Sequence, residues 1–443
     1  MAKAKKISGK DSGGIVAALG ASLGAFVGRD MLVALLLGFA TSMSILLCSN
    51  LLANLGVANP PLKIAIFATL FFTLRFFFAP FVDKIPLPFL RKKFGQRRSM
   101  ALLLQILLIF SLVMMMLVQN IPGSTRLVVA SVVVAISALQ IMSFEALRVE
   151  MLPAKKQAHG ITMLVIGYFL LSLFVGYTGS WLYQLKVDFV LLFSVLQLIG
   201  VLAIMMTPML DSKEKFSFGS LFAPFVDIFK NKQLLWLLPL LVLYKYGNSF
   251  MMLLSSNFYN GTGFQGEDQV RVAINIVQNM GPLVAIVGVI FGAIVIYIGG
   301  VYSGLMTGMI LCLIAPIFFP IMLRLGANFS MLFATVSIVN ISAAVSTLAI
   351  FTLIATKLNP KHSVTQWAFL TSVVAFTALP SLTIVPSATT LPLISQYLLS
   401  LPTSGLLKLF KINSPDVIAV VMVLLSLPGL LWLLAMKKNI QTS

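Results

Sequence analysis

Apolar runs of about 20 residues recur along almost the whole chain, and a run of that length is what an α-helix needs to cross a bilayer. The 443 residues are 59% hydrophobic and only 10% charged, whereas soluble domains are about 25% charged. The polar stretches between the runs are too short for an independent soluble domain. These features exclude a soluble enzyme and predict an all-α integral membrane protein.

Charged residues and clusters of Pro, Gly and Asn separate the apolar runs into two sets of six. The predicted spans of the first set are 31–53, 63–82, 99–119, 127–147, 160–183 and 189–209. Those of the second set are 234–258, 272–297, 302–323, 329–356, 367–391 and 416–436. We therefore predict twelve transmembrane helices in two six-helix bundles, with the division 1–30, 31–210, 211–233, 234–436 and 437–443.

The distribution of basic residues predicts the orientation in the membrane, because Lys and Arg accumulate in cytoplasmic loops. Most of the 31 Lys and Arg lie at the N-terminus, in the even-numbered loops and at the C-terminus. We expect both termini and the linker 211–233 to be cytoplasmic. The apolar part of the segment 1–30 could be an interfacial helix or, against the distribution of basic residues, a thirteenth span. The net charge of +19 then reflects attraction to anionic membrane lipids and requires no nucleic acid.

The sequence lacks the residue patterns that several kinds of catalytic and binding site require. No P-loop string occurs, and His159 and His362 have no clusters of carboxylates or cysteines around them. Cys48 and Cys312 lie inside apolar runs. We therefore expect no metal, no cofactor and no reaction centre, and a secondary transporter is the function class that remains. The binding sites of such transporters lie near the membrane midplane between repeated halves.

Charged residues inside the spans are candidates for the site, because a charge at bilayer depth is costly to retain. Arg75 lies roughly 12 Å from the cytoplasmic end of span 2, and Lys245 roughly 20 Å into span 7, at 1.5 Å per helical residue. Arg75 could bind a carboxylate or phosphate of an anionic substrate, or form a structural ion pair. Lys245 could bind an anion, exchange a proton or be purely structural.

Apart from Asp416 at the first position of the last span, Glu145 is the one carboxylate within the predicted spans, and Arg148 follows three residues later on the same helical face. Glu145 could carry a coupling proton, or form an ion pair with Arg148 at the cytoplasmic end of span 4. Gln140 in the same span, and Asn248 beside Lys245, are the neutral side chains that we predict to contact substrate.

The loop between spans 2 and 3 joins an acid to six basic residues. It could be a topology signal alone. It could also be a cytoplasmic gate in which Asp83 pairs with arginines and releases them as the halves move. The residues assigned to this gate are Asp83, Gly95, Arg97, Arg98 and Arg148. Separately, the GxxxG pairs Gly288 with Gly292 and Gly304 with Gly308 predict close helix contacts.

Several strings of the chain resemble the AmpG-type muropeptide permeases of the major facilitator superfamily. They are LLLGFATSMSILL (35–47), LRFFFAPFVDK with FGQRRSM (74–100), the segment 140–153 with QAHGITMLVIGY (157–168), LYKYGNSF (243–250) and SVTQWAFLTS (363–372). The resemblance runs in order from about residue 31 to 375. It implies the major facilitator fold, a bacterial inner membrane, and proton-driven import of anhydromuropeptides in peptidoglycan recycling.

The chain departs from the pattern of these permeases at acidic positions. Asn248 stands where the resemblance leads us to expect an acid, and Ile141 follows Gln140 where the usual pair is Gln-Asp. The motif Asp-Ala-aromatic-basic reads Glu145-Ala146-Leu147-Arg148 here. Loss of two acids leaves Glu145 and Lys245 as the candidates for proton coupling.

Together these features predict a monomeric permease that imports a small anionic sugar-peptide by alternating access. Arg75 and Lys245 would attract the carboxylates of the substrate, and Glu145 or Lys245 would exchange the proton. One alternative is a carrier with the same fold for a phosphorylated or nucleotide-like anion. Another is a transport-inactive receptor or scaffold that retains the fold.

Overall fold

The computed structural model describes residues 28–54, 74–84, 87–117, 123–153, 156–184, 189–209, 219–244, 266–359, 362–377 and 415–437, with the single positions 247, 264 and 440. All regular structure within these ranges is helical. The predicted all-α fold is therefore confirmed. The predicted interfacial helix before residue 28 lies outside the described residues.

Eight helices lie in the described part of the first half. They are α1 Arg29–Asn54, α2 Ala79–Lys84, α3 Pro88–Phe94, α4 Gln96–Leu117, α5 Gly123–Met151, α6 Gln157–Gln184, α7 Phe189–Leu196 and α8 Leu198–Met206. A short 3-10 turn, Arg75–Phe77, precedes α2.

The linker and the second half contribute eight more helices within the described residues. They are α9 Gly219–Lys230, α10 Lys232–Tyr244, α11 Glu267–Asn275, α12 Gly281–Ile314, α13 Phe318–Leu325, α14 Phe329–Lys357, α15 Ser363–Thr377 and α16 Pro415–Ala435. A π turn, Ile276–Met280, joins α11 to α12, and a 3-10 turn, Ala315–Ile317, joins α12 to α13.

Five helical stretches of the described chain are long and apolar enough to cross a membrane. They are Gln96–Leu117, Val128–Met151, Gln157–Tyr177, Asp268–Leu325 and Phe329–Lys357. This result supports a multi-pass membrane protein. The count of twelve spans and the division into two bundles stay predictions, because parts of spans 2, 7 and 11 lie outside the described residues.

Predicted spans 8 and 9 form one helical run that is broken at Gly300. This glycine has φ +78°, a backbone conformation that glycine adopts without strain. A side chain at Gly304 would collide with that of Ile296, although residues eight apart in a straight helix are about 12 Å apart. The chain therefore folds back on itself at Gly300.

Glycines set the closest helix crossings. A Cβ atom at Gly38 of α1 would collide with the backbone of Leu164 in α6, and one at Gly167 would collide with the backbone of Leu35. At Gly288 a Cβ atom would lie 2.9 Å from Cα of Ile341 in α14. The predicted close contact at the Gly288 pair is therefore confirmed.

The largest apolar core contains buried residues of both halves. The first half supplies Val149, Ile161 and Val165, and the second supplies residues such as Leu348 and Trp367. The two halves contact each other where α5 packs against α15 and where α6 packs against α12. The polar site described next lies within the contact between α5 and α15.

Candidate functional site

Two charged residues singled out from the sequence, Arg75 and Glu145, meet inside the protein. Nη2 of Arg75 lies 3.5 Å from Oε2 of Glu145. The two residues are only 8% and 3% exposed, so each charge needs the other in a region of low dielectric. Nη2 of Arg75 also donates to Oγ1 of Thr371 at 3.0 Å, which ties the turn before α2 to α15.

Trp367 of α15 contacts the same carboxylate from the second half. Its indole Nε1 donates a hydrogen bond to Oε2 of Glu145 at 2.7 Å. Trp367 is 1% exposed, so this bond is shielded from water. A single carboxylate oxygen thus interacts with Arg75 of the first half and with Trp367 of the second half.

Arg148 lies almost one turn after Glu145 on α5 and faces the same indole. Its guanidinium carbon is 4.7 Å from the centroid of the Trp367 ring, within the range of a cation–π interaction. Nη1 donates to Oε1 of Gln157 at 3.1 Å. Gln157 is fixed in turn, because its Nε2 donates to the carbonyl oxygens of Val149 and Leu152 at the end of α5.

The hydrogen-bonding capacity of the two arginines is only partly used. Nε and Nη2 of Arg148, and Nε of Arg75, have no hydrogen-bond partner among the residues that the structure describes. Tyr168 of α6 interacts electrostatically with both arginines and with Glu145. We name the residues Arg75, Glu145, Arg148, Trp367 and Thr371 the inter-half cluster.

The inter-half cluster has the composition of an anion site. Two guanidinium groups face one carboxylate, so the described cluster has an excess of one positive charge when Glu145 is ionised. Guanidinium N–H groups match the oxygens of carboxylates and phosphates in geometry and charge. The carboxylate of Glu145 can also take up a proton, whereas the arginines stay charged. These properties make the cluster a candidate site for an anion and for a proton.

Gln140, predicted to contact substrate, is placed instead in a closed polar ring inside the first half. Its Oε1 accepts from Ser44 at 2.8 Å, and its Nε2 donates to Gln105 at 2.7 Å. Gln105 donates to Gln197 at 2.8 Å, and Gln197 donates to Ser44 at 3.2 Å. All four residues are fully buried. Contact of Gln140 with a substrate would require this ring to open.

Two of the predicted gate residues make contacts within the first half. Arg97 forms a bidentate ion pair with Glu150, with N–O distances of 3.0 and 2.7 Å. Arg98 donates to Oγ1 of Thr207 at 3.1 Å and to the carbonyl of Met205 at 3.2 Å. These bonds join α4 to α5 and to the end of α8.

The remaining predicted site residues differ in how far the structure describes them. Gly95, with φ +77°, makes the sharp junction between α3 and α4, a conformation for which glycine is suited. Arg148, assigned to the gate, lies in the inter-half cluster. Lys245, Asn248 and the side chain of Asp83 lie outside the described residues. Their roles stay predictions.

The linker helix α9 is a further connection between the halves. Oδ2 of Asp227 accepts hydrogen bonds from Asn359 at 3.0 Å and from Gln366 at 2.7 Å. The ring of Phe225 packs edge-on against Phe76 and Phe369, with ring centroids 6.0 and 6.1 Å away. The linker helix therefore contacts both the turn before α2 and the beginning of α15.

Sequence reasoning singled out neither Trp367 nor Asp227 as part of the site. The string SVTQWAFLTS was notable only for its resemblance to the permeases, although Trp367 and Thr371 are four residues apart and so share one helical face. From sequence alone a tryptophan is assigned to the apolar core, because its polar N–H is a minor part of a large apolar side chain. Only the packing of α15 against α5 shows that this N–H meets Glu145.

Comparisons with known proteins agree with this architecture. No family model matches the chain. It is 28% identical over 357 residues to the anhydromuropeptide permease of Escherichia coli K12, covering 77% of this chain and 71% of that protein. It is 26% identical over 356 residues to the putative transporter AmpG 4 of Rickettsia conorii, covering 76% and 84%. The resemblance to AmpG-type permeases is confirmed.

A solved structure extends the likeness to the fold. The crystal structure of the human organic anion transporter MFSD10 (TETRAN) matches with a TM-score of 0.61, covering 91% of this chain and 99% of that chain at 15% sequence identity. The chain therefore has the fold of major facilitator transporters. The permease relatives and this fold together support transport across a membrane as the function class.

Proposed function

We propose that this chain imports anhydromuropeptides, which are small anionic sugar-peptides, across a bacterial inner membrane for peptidoglycan recycling. The observation that carries the proposal is the buried inter-half cluster, with its excess positive charge and its guanidinium N–H groups that have no partner in the described part of the chain. The relatives named as anhydromuropeptide permeases support this cargo. A muropeptide carries carboxylates, and the guanidinium groups of Arg75 and Arg148 suit such groups in charge and geometry.

The position of the cluster between the halves supports alternating access as the proposed mechanism. Arg75 and Glu145 come from the first half, and Thr371 and Trp367 come from the second half. A substrate carboxylate that binds Arg75 replaces Glu145 as its ionic partner. Movement of the halves about the bound anion then exposes the site to one side of the membrane at a time. Lys245 and Asn248 are proposed as further substrate contacts.

Proton coupling is proposed through Glu145. A proton on this carboxylate removes the negative charge that competes with the substrate for Arg75, and therefore strengthens anion binding by the cluster. Release of the proton restores the ion pair and favours release of the anion. The protein would act as a monomer with both termini in the cytoplasm, and it would carry substrate and proton in the same direction.

The proposal is tested by uptake into proteoliposomes that contain only this protein. Labelled N-acetylglucosaminyl-anhydromuramyl peptide should enter faster when an inward proton gradient is imposed. The variant Arg75→Gln should lose uptake, while the matched control Arg324→Gln should keep it, because Arg324 pairs with Asp416 at an exposed position. Uptake that ignores the gradient would contradict proton coupling, and no uptake at all would contradict the cargo.

A second cargo is favoured by the same guanidinium nitrogens that have no hydrogen-bond partner among the described residues, because guanidinium groups match phosphate oxygens as well as carboxylates. A phosphorylated or nucleotide-like anion would then be carried by the same cluster. Competition by such anions against labelled muropeptide, without an effect of the proton gradient, would favour this cargo. A transport-inactive receptor or scaffold would retain its function when Arg75 and Lys245 are both neutralised.

A further inference from the structure

We propose that Trp367 is a positioning residue through which the protonation state of Glu145 controls the contact between the two halves. The inference rests on the proposed role of Glu145 in proton exchange. Its basis is the 2.7 Å hydrogen bond from Nε1 of Trp367 to Oε2 of Glu145. This bond joins α15 of the second half to α5 of the first half at the one carboxylate of the inter-half cluster.

The chemistry of the two partners makes this bond sensitive to a proton. The indole N–H is a donor only, and an ionised carboxylate is an acceptor only. A bond to an ionised acceptor is roughly twice as strong as one between neutral groups. A proton on Oε2 would place two donors opposite each other, and a proton on Oε1 would leave a neutral and weaker acceptor. Protonation therefore breaks or weakens the bond.

Because both residues are buried, loss of this hydrogen bond destabilises the contact between the two halves. Trp367 is 1% exposed and Glu145 is 3% exposed, so water does not replace the missing partner while α5 and α15 remain in contact. An unsatisfied buried N–H is unfavourable. Separation of the halves at this point allows water to reach the indole, so protonation of Glu145 favours separation.

Other groups around Glu145 do not take over this role. Arg75 and Arg148 face the carboxylate and stay charged, and Tyr168 of α6 contributes a phenol. Thr371 of α15 bonds to Arg75 and not to the carboxylate. Among the described side chains around Glu145, the hydrogen bond from the second half to this carboxylate is therefore the one from Trp367.

A substitution can remove the N–H of Trp367 and still leave an aromatic ring at this position. The ring lies under Arg148 at 4.7 Å and packs edge-on against Phe351 at 5.7 Å. Trp367→Phe keeps a benzene ring for both contacts and removes the N–H donor together with the five-membered ring, a loss that the control below shares. Trp432→Phe is the matched control, because Nε1 of Trp432 donates to the carbonyl of Trp236 at 3.3 Å within the second half.

The test measures the distance between the halves without any substrate. Spin labels are attached at Lys92→Cys in α3 and Lys437→Cys after α16, both exposed, in a chain with Cys48 and Cys312 replaced by serine. Double electron–electron resonance in lipid nanodiscs at pH 8 and pH 5 reports the label separation. We expect the background protein to shift towards a second distance population as the pH falls.

In Trp367→Phe we expect the low-pH population to dominate at both pH values, so that the shift is lost. Trp432→Phe should shift as the background does. A Trp367→Phe protein that keeps the full pH-dependent shift would overturn the proposal. Glu145→Gln, whose amide is neutral at every pH, provides a second variant and should also show the low-pH population at pH 8. If Glu145→Gln shifts with pH as the background does, the proposal is equally overturned.

The outcome is separate from that of the uptake experiment, because no muropeptide is present. Normal pH-dependent distances in a protein that fails to take up muropeptide would contradict the cargo and leave the role of Trp367 intact. Muropeptide uptake by a protein whose Trp367→Phe variant still responds to pH would contradict the role of Trp367 alone.

Discussion

The guanidinium of Arg148 lies over the ring of Trp367, with 4.7 Å between its carbon and the ring centroid, although one residue belongs to the first half of the chain and the other to the second. Arg148 is fully buried, and two of its nitrogens, Nε and Nη2, have no hydrogen-bond partner among the described residues. A charged guanidinium is tolerated in an apolar interior only where neighbouring groups stabilise it. Here the stabilising groups are the aromatic face of Trp367 and the side chain of Gln157.

Substitution Arg148→Lys should therefore impair transport although it keeps the charge. An ammonium group lacks the planar face that stacks on Trp367 and the fork that reaches both Gln157 and an anion. We expect uptake at low substrate concentration to fall about tenfold, equivalent to one lost interaction of about 1.4 kcal/mol. Uptake kinetics in proteoliposomes would measure this, with Arg324→Lys as the control. Equal kinetics in the two variants would contradict a role of Arg148 in anion binding.

Because Arg75 and Glu145 form a buried ion pair, we expect that substituting Glu145 will partly reverse the loss of stability caused by substituting Arg75. Arg75→Gln leaves a buried carboxylate without its ionic partner, which costs about 3–5 kcal/mol in buried pairs. We expect a clear fall in the melting temperature in detergent. The double variant Arg75→Gln with Glu145→Gln should recover part of this stability, because the carboxylate that lost its partner is removed while Arg148 keeps its contacts with Trp367 and Gln157, but it should not recover gradient-driven uptake. A double variant no more stable than Arg75→Gln would show that the pair does not explain the loss.

The polar ring around Gln140 predicts an effect on stability. Gln140→Leu removes the acceptor for Ser44 and the donor to Gln105, and both partners remain buried. Each unsatisfied buried group costs about 1–3 kcal/mol, so the melting temperature should fall. Thermal unfolding and uptake by the same preparation separate this effect from substrate contact. An unchanged melting temperature with a raised KM would instead favour the substrate role predicted from the sequence.

The sequence was sufficient to predict the helical class, and the reason is physical. A bilayer-spanning helix needs a long apolar run, so α4, α5, α6 and α14 are visible as composition alone. Arg75 and Glu145 were visible for the same reason, because a charge in an apolar run is exceptional. Their partners were not visible. Arg148 is near Glu145 in sequence, yet the described ionic partner of Glu145 is Arg75, 70 residues earlier, and contacts over such separations depend on helix packing.

Because the ion pair of Arg324 with Asp416 is exposed, we expect that breaking it will have almost no effect on stability. Nη2 of Arg324 lies 2.7 Å from Oδ2 of Asp416, but the side chains are 72% and 49% exposed. Exposed pairs contribute about 0–1 kcal/mol because water and salt screen them. Asp416→Asn should therefore change the melting temperature by no more than the error of the measurement. A large fall would show that this pair is more important than its exposure indicates, and would disqualify Arg324 variants as controls.

The attachment of the linker helix depends on Asp227. Its carboxylate accepts from Asn359 and Gln366, and bonds to a charged acceptor are the stronger ones. Asp227→Ala removes both bonds and leaves the aromatic contacts of Phe225, so α9 should detach more often from α15. Trypsin should then cleave several-fold faster after the exposed residues Lys230 and Lys232, as measured by the rate of appearance of the two half-chains. Asp268→Ala is the control, because Asp268 is an exposed residue of α11. Equal cleavage rates in the two variants would mean that Asp227 does not hold the linker helix against the second half.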